Sequence, residues 1–219
     1  MFDIAHIITT FTLVAIPLFM GIIFHEVAHG YTAYRLGDPT AKNAGRLSLN
    51  PIRHVDPVGT VVLPVMLVLM KSPFLFGWAK PVPFNPSYFD DPRKGIFWVS
   101  LAGPAANFAL ALGFYLLFNI LTMSHTFPGA GSMSAIIDTV RLVCVYGILV
   151  NLILGVFNLF PIPPLDGSKI IATFLPGKIA SQYMQMERYG FIIIIVLLFL
   201  GVFGWVFGYV RYFTMYLIS

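Results

Sequence analysis

Cysteine is almost absent from this sequence, and charged residues are scarce. The 219 residues include one cysteine, Cys144, which excludes an intramolecular disulfide and argues against a metal cage of thiolates. Charged residues make up 10% of the chain, whereas a soluble domain of this size carries about a quarter. The composition therefore excludes an ordinary soluble domain.

Basic residues are also missing from the start of the chain, where a secretory signal peptide needs them. The first apolar run carries Asp3 instead and leads directly to His25 and Glu26, so a cleaved signal peptide is not expected. The net charge of +4 would be compatible with nucleic-acid binding in a soluble protein. In a membrane protein the positions of the charges matter more than their sum, and we expect no nucleic-acid partner.

Long apolar runs make up most of the remaining sequence. Hydrophobic residues account for 58% of the chain, and a helix needs roughly 20 mainly apolar residues to cross a bilayer. Four runs meet this requirement, at about residues 7–34, 95–121, 135–160 and 189–210. The sequence predicts an all-α polytopic membrane protein, in contact with the lipid bilayer and forming a single domain over residues 1–219.

A further apolar segment, Val58–Met70, is too short to cross the bilayer by itself. Its helix would be about 20 Å long, against a hydrocarbon core of about 30 Å, and Pro64 interrupts it. If the segment enters the membrane and returns, every Lys and Arg except Arg141 and Arg211 shares one face. The positive-inside rule places that face in the cytosol and the N-terminus outside. We predict a re-entrant segment at about 58–70.

The first apolar run contains three ionisable residues in the sequence His25-Glu26-Val27-Ala28-His29. Positions i and i+4 share a helix face, so both imidazoles can reach one metal ion. Glu26 lies beside that ion without ligating it and can take a proton from a zinc-activated water. Ionisable side chains inside a membrane are costly and usually functional. We therefore predict a metal site and not a packing role.

A catalytic zinc ion needs a third protein ligand, and Asp166 is the candidate. It follows Pro161, Pro163 and Pro164, which forbid a regular helix directly after a long apolar run. Broken backbone at membrane depth is tolerated only where it is buried in protein or lines a wet cavity. From the composition alone, an ordinary helix end with Asp166-Gly167 as its turn fits equally well.

Three motifs in this order resemble the site-2 proteases, a family of intramembrane zinc metalloproteases. They cover about residues 20–170 and are His25–His29, Leu101-Ala-Gly-Pro-Ala-Ala-Asn107-Phe108 and Asn158…Pro161-x-Pro163-x-Leu165-Asp166-Gly167. Two further segments are similar to the short prokaryotic subgroup that lacks PDZ and CBS domains. These segments are Gly45-Arg-Leu-Ser-Leu-Asn50-Pro51 and Gly77-Trp-Ala-Lys-Pro-Val-Pro83.

The resemblance implies one Zn²⁺ ion per chain, held by His25, His29 and Asp166. It also implies that Glu26 is the general base and later the proton donor. Asn158 would polarise the scissile carbonyl or bind the oxyanion, because an asparagine amide donates without carrying charge.

The resemblance also implies a substrate and a location. The substrate would be a membrane-anchored protein, cut within or near the bilayer of the plasma or inner membrane, with the active site towards the cytosol. Asn107 would line the substrate cavity. His54 would approach the site from the re-entrant region, although a loop histidine at the interface fits its position as well.

Residues 77–86 are predicted to hold a substrate in extended form, because a peptide bond in a helix is shielded by its own hydrogen bonds. Alternate amides of a strand point to the same edge, so Pro81 and Pro83 remove the donors of one edge only. This pattern suits the addition of a substrate strand to the other edge. A proline-rich connection fits the same sequence equally well. The candidate substrate-binding residues on the donor edge are Lys80, Val82 and Phe84.

A transmembrane metal-ion transporter is the main alternative, since some carriers also use histidines and an acid in one helix. It predicts further buried ligands along a path, and only His54 is available for this purpose. A CAAX-type membrane protease would take a later glutamate as its third ligand, and only Glu187 at a span boundary remains. An inactive scaffold would not need Glu26. The sequence favours intramembrane proteolysis.

Overall fold

The computed structural model describes residues 4–62, 66, 80–124 and 131–219. The helices in the first half of the chain are α1 (Ile4–Arg35), α2 (Thr40–Asn43) and α3 (Pro92–Ser124). Those in the second half are α4 (Gly131–Asn158), α5 (Asp166–Phe174), α6 (Gly177–Met184), α7 (Glu187–Phe199) and α8 (Val202–Ile218). Short 3-10 turns cover Pro51–His54 and Pro86–Tyr88, and Pro57–Val62 is π-helical. No β-strand occurs in these ranges.

Three long helices form the centre of the molecule. Helices α1, α3 and α4 pack pairwise against one another. They are long and apolar enough to cross a membrane over Thr12–Arg35, Pro92–Met123 and Ala135–Asn158, in agreement with the first three predicted spans. Glycine allows one of the close approaches, because a Cβ at Gly147 would lie 2.5 Å from the Phe114 ring. The predicted all-α, multi-pass class is confirmed.

The fourth predicted span, residues 189–210, is not a continuous helix. It is divided at Gly201, and α7 and α8 meet there at an angle of 69°. Gly201 has a φ of +75°, a left-handed conformation that ends a helix and that glycine adopts without strain. The two helices are long and apolar enough to span a membrane only when they are taken together. The structure thus divides the predicted fourth span into a bent pair of helices.

An apolar cluster ties this bent pair to the connection that precedes α5. Leu165, Ile194 and Phe203 are buried together there. Gly190 lets α7 touch the connection, because a Cβ at that position would lie only 1.8 Å from the carbonyl oxygen of Pro163. Since α5 also packs on α3, its first residue is held between two parts of the bundle.

The predicted re-entrant segment, 58–70, lies mostly outside the described residues, which include only 58–62 and 66 of it. Its flanks are described and lie together. The amide of Lys80 donates to the carbonyl oxygen of His54 at 3.0 Å. The chain therefore leaves and returns at one place, as a re-entrant segment requires.

Candidate metal centre

The structure brings together the three residues that the sequence predicts as metal ligands. His25 and His29 come from α1, and Asp166 is the first residue of α5. The Nε2 atoms of the two histidines lie 2.9 Å apart, and Asp166 Oδ2 lies 3.0 and 3.1 Å from them. All three residues are buried. Three ligand atoms therefore converge on one point.

Hydrogen bonds on the opposite side of each ring determine which nitrogen carries the proton. His29 Nδ1 lies 2.6 Å from the carbonyl oxygen of Val99, which can only accept, so Nδ1 donates. His25 Nδ1 lies 2.7 Å from Asn107 Oδ1. That amide is oriented by its Nδ2, which donates to the carbonyl oxygen of Gly21 at 3.1 Å. A neutral imidazole protonated at Nδ1 has a bare lone pair on Nε2.

Two nitrogen lone pairs and a carboxylate oxygen thus face one another with no proton among them. Within the described ranges Asp166 Oδ2 receives no hydrogen bond, which is costly for a buried carboxylate oxygen. A divalent cation would satisfy all three atoms. Two imidazoles and a carboxylate form a catalytic zinc ligand set with an open fourth position. Ligand atoms at zinc's usual bond lengths lie roughly 3.3 Å apart in a tetrahedron, so these residues fit the ion.

The support of His25 extends to Asn151, a residue that sequence reasoning missed. Asn107 Nδ2 also donates to Asn151 Oδ1 at 3.1 Å, and Asn151 Nδ2 donates to the Gly147 carbonyl at 2.9 Å. Both asparagines are fully buried. A polar side chain inside an apolar span is the signal that points to Asn151. Asn107 was predicted to line the substrate cavity, but its amide is fully used within the bundle and orients a ligand instead.

Gly103 of α3 provides the space that the two histidine rings occupy. A Cβ at this position would lie 2.5 Å from His29 Nε2 and 2.6 Å from His25 Cε1, distances that real contacts do not show. The backbone of α3 therefore packs directly against the imidazoles. This contact explains the glycine of the Leu101–Phe108 motif in physical terms.

Glu26 follows His25 and stays outside the group of metal ligands. Its Oε2 accepts a hydrogen bond from the backbone amide of Val82 at 2.7 Å. Val82 is buried and packs on α1 at Gly30, where a Cβ would lie 2.7 Å from Val82 Cγ1. The residue predicted as the general base is thus held by a segment that is distant in sequence.

This contact corrects the predicted substrate strand. The Lys80 amide donates to His54 and the Val82 amide to Glu26, so two of the three predicted pairing donors are used within the chain. Residues 80–85 form neither helix nor strand. The edge that carries these donors is therefore not free to pair with a substrate strand along its whole length. The Phe84 side chain packs on a buried cluster of Ala33, Phe89 and Val99.

The structure shows no hydrogen bond between the metal ligands and either Asn158 or His54, as far as the described ranges extend. Asn158 ends α4, and its Nδ2 donates to the carbonyl oxygen of Leu154 at 3.0 Å. Its oxyanion role stays a prediction. His54 is buried, and its Nε2 donates to the carbonyl oxygen of Ser48 at 2.7 Å, which fits the interpretation as a loop histidine.

Comparisons with known proteins agree with one another. Residues 119–201 match the family model described as peptidase family M50. "Putative zinc metalloprotease YwhC" of Bacillus subtilis strain 168 is 42% identical over 83% of this chain and 78% of its own. "Putative zinc metalloprotease Rip2" of Mycolicibacterium smegmatis is 32% identical over 86% of this chain and 67% of its own. No solved structure matches significantly.

Proposed function

Because the chain belongs to peptidase family M50, the site-2 protease family, we propose that it is a zinc metalloendopeptidase that cleaves membrane-anchored proteins within or near the bilayer. Family and relatives identify a metalloprotease. The substrate class and the site of cleavage are our proposal. The observation that carries it is the convergence of His25, His29 and Asp166 beside Glu26, with one Zn²⁺ ion expected per chain.

The position of the ligands along α1 supports cleavage below the membrane surface. At 1.5 Å per residue, His25 and His29 lie about 15 and 9 Å before Arg35, where the helix ends. The hydrocarbon core is about 30 Å thick, so the site lies inside it and nearer to the end that carries Arg35. By the positive-inside rule we place this end at the cytosolic side of the cell membrane and the N-terminus outside.

Glu26 and Asn158 have different roles in the proposed reaction. A bound zinc ion supplies Lewis acidity towards water and towards the scissile carbonyl. Glu26 accepts the proton of the attacking water and delivers it to the leaving amine. Because the Val82 amide holds Oε2, the other carboxylate oxygen is left for this transfer. We assign Asn158 to the oxyanion, which requires its amide to release the carbonyl oxygen of Leu154.

A metal-ion transporter would need further ligands along a path through the bundle. In the ranges that the structure describes, His25, His29 and Asp166 form the single group of three ligands that could hold an ion. His54 is not part of that group, and its Nε2 donates to the carbonyl oxygen of Ser48. The site therefore favours hydrolysis over transport.

Glu26→Gln is expected to separate metal binding from catalysis. The glutamine oxygen can still accept the Val82 bond, but the amide cannot take a proton from water. We expect zinc to stay near one ion per chain by elemental analysis. Cleavage of a fluorescent single-span protein in proteoliposomes should fall by at least about 100-fold.

Glu187→Gln is the matched control, because Glu187 is exposed at the start of α7 and should behave as the wild type. Wild-type rates in Glu26→Gln would exclude Glu26 as the base. Mass spectrometry of the products locates the cut bond. A cut confined to the soluble part of the substrate would contradict the intramembrane proposal.

A further inference from the structure

Arg46 is a buried cation in the connection that follows α2. It is 7% exposed, and arginine is rarely buried unless it is paired. No carboxylate forms a salt bridge with it in the part of the chain that the structure describes. Its Nη2 donates instead to the backbone carbonyl oxygens of Lys80 and Pro81, the latter at 3.3 Å. The charge is thus directed at one short segment.

The Pro81–Val82 peptide group connects Arg46 to Glu26. Its carbonyl oxygen accepts from Arg46, and its N–H donates to Glu26 Oε2 at 2.7 Å. The oxygen and the hydrogen of a trans peptide point in opposite directions, so the cation and the anion lie on opposite sides. Both charges polarise the peptide group in the same sense, which strengthens both hydrogen bonds.

The two neighbours of Val82 offer Glu26 no alternative backbone N–H donor. Pro81 and Pro83 have no amide N–H and have a fixed φ, so Val82 provides the only backbone donor of the three. Beyond them, the amide of Asn85 donates to Asp38 Oδ2 at 2.6 Å, and Asp38 is fully buried. Asp38 therefore holds the segment after Val82, whereas Arg46 holds the carbonyl oxygens of the two residues before it.

We propose that Arg46 is a positioning residue for Glu26 and acts through the Pro81–Val82 peptide group. This inference rests on the proposed function, because it concerns the base of that reaction. With Oε2 held, the carboxylate keeps one orientation and presents its other oxygen to water. Without Arg46 the peptide group can rotate, and Glu26 loses that orientation. The histidines keep their own supports, so zinc binding persists.

Hydrogen exchange of the Val82 amide tests this coupling independently of cleavage. The measurement uses NMR of the full-length, zinc-loaded protein labelled with ¹⁵N-valine in detergent micelles. Arg46→Met keeps an apolar stem but has no donor, and we expect the Val82 amide to exchange at least about tenfold faster than in the wild type. Arg53→Met, at an exposed position of the same connection, is the control and should change nothing. Unchanged exchange in folded Arg46→Met would overturn the proposal.

Cleavage kinetics test whether the loss of Arg46 impairs Glu26 as the general base. In Arg46→Met we expect kcat to fall about 10- to 100-fold, with KM within about twofold and zinc content unchanged. Arg46→Lys should recover part of the loss, because an ammonium can donate to one of the carbonyl oxygens. Val82→Pro removes the same hydrogen bond from Glu26, so the double variant should lose little more than either single variant.

Three kinetic results would overturn the proposal: additive losses, an effect on KM alone, or a rise in kcat. The last would mean that the segment blocks Glu26 instead of orienting it. A wild-type protein that binds zinc but cleaves no single-span substrate would refute the proposed function. In that case the exchange experiment would still decide whether Arg46 holds the Val82 amide.

Discussion

Each imidazole of the metal centre is kept in one tautomer by an acceptor on its opposite nitrogen. For His29 the acceptor is the backbone carbonyl of Val99, and for His25 it is the side chain of Asn107. A metal ligand needs such support to keep its ring orientation and its free lone pair. A substitution can remove the side-chain acceptor of His25 but not the backbone acceptor of His29. The contribution of the Asn107 hydrogen bond to zinc binding can therefore be measured.

Asn107→Leu is expected to lower zinc affinity by about 10- to 100-fold. Without the amide oxygen, His25 can turn or carry its proton on Nε2, where it excludes the ion. Competition with a chromophoric chelator measures the affinity. Asn119→Leu is the control, since that amide donates only within its own helix, to Tyr115. Wild-type affinity in folded Asn107→Leu would contradict this role.

Asn151→Leu provides a second variant if Asn107→Leu does not fold. It leaves the His25 hydrogen bond in place but removes one acceptor from Asn107. We expect a smaller loss of zinc affinity than in Asn107→Leu. A larger loss would mean that Asn151 acts on the site by a route other than Asn107.

At the scale of helices, α3 contributes its backbone to the site at Gly103. Gly103→Ala forces a methyl group against both histidine rings. We expect reduced zinc content and about 1–3 kcal/mol lower stability from overpacking. Elemental analysis and thermal unfolding measure the two effects. Gly113→Ala in the same helix is the control, because nothing lies within 4 Å of the added Cβ. Equal zinc content in both variants would contradict the close packing.

Hydropathy predicted the helices that are long and uninterrupted. The apolar runs gave α1, α3 and α4, because a bilayer-spanning helix needs a long continuous run of apolar residues. The break at Gly201 was not predicted, since a glycine in an apolar run is also typical of close helix packing. Glycine adopts positive and negative φ about equally readily, so the sequence does not specify the left-handed φ of Gly201.

The metal site was predictable where its geometry is local. His25 and His29 share a helix face at a fixed spacing, whereas the composition around Asp166 left two interpretations open until the resemblance was considered. The contact of Asn107 with His25 depends on how α3 is rotated against α1. The contact of Val82 with Glu26 depends on the path of a segment without regular structure. Neither contact can be derived from the spacing of these residues in the sequence.

At the scale of the whole molecule, the arrangement of charges gives a test of topology. Single cysteines introduced at positions 42 and 94, on a Cys144→Ser background, should both react with a reagent that reaches only the cytosol. A cysteine at position 128 should react from outside. Both expectations follow from the positive-inside rule, and the contact of Lys80 with His54 agrees with the first.

Labelling of intact and permeabilised cells distinguishes the two sides. Cys144 is fully buried, so activity of the Cys144→Ser background is checked first. Reaction of positions 42 and 94 from opposite sides would mean that residues 58–70 cross the membrane. Reaction of position 128 from the cytosol would reverse the proposed orientation of the N-terminus.

The hydrogen bond between Lys80 and His54 has a consequence for chain length. It joins the two ends of a loop, and only Pro81 separates the closing bond from Val82. For a flexible loop the entropic cost of closure grows slowly with length, by about 0.6 kcal/mol for each doubling. We therefore expect flexible residues inserted between the two ends to leave the hydrogen bond from Val82 to Glu26 in place. The length of this part of the chain and the position of the catalytic base are then set separately.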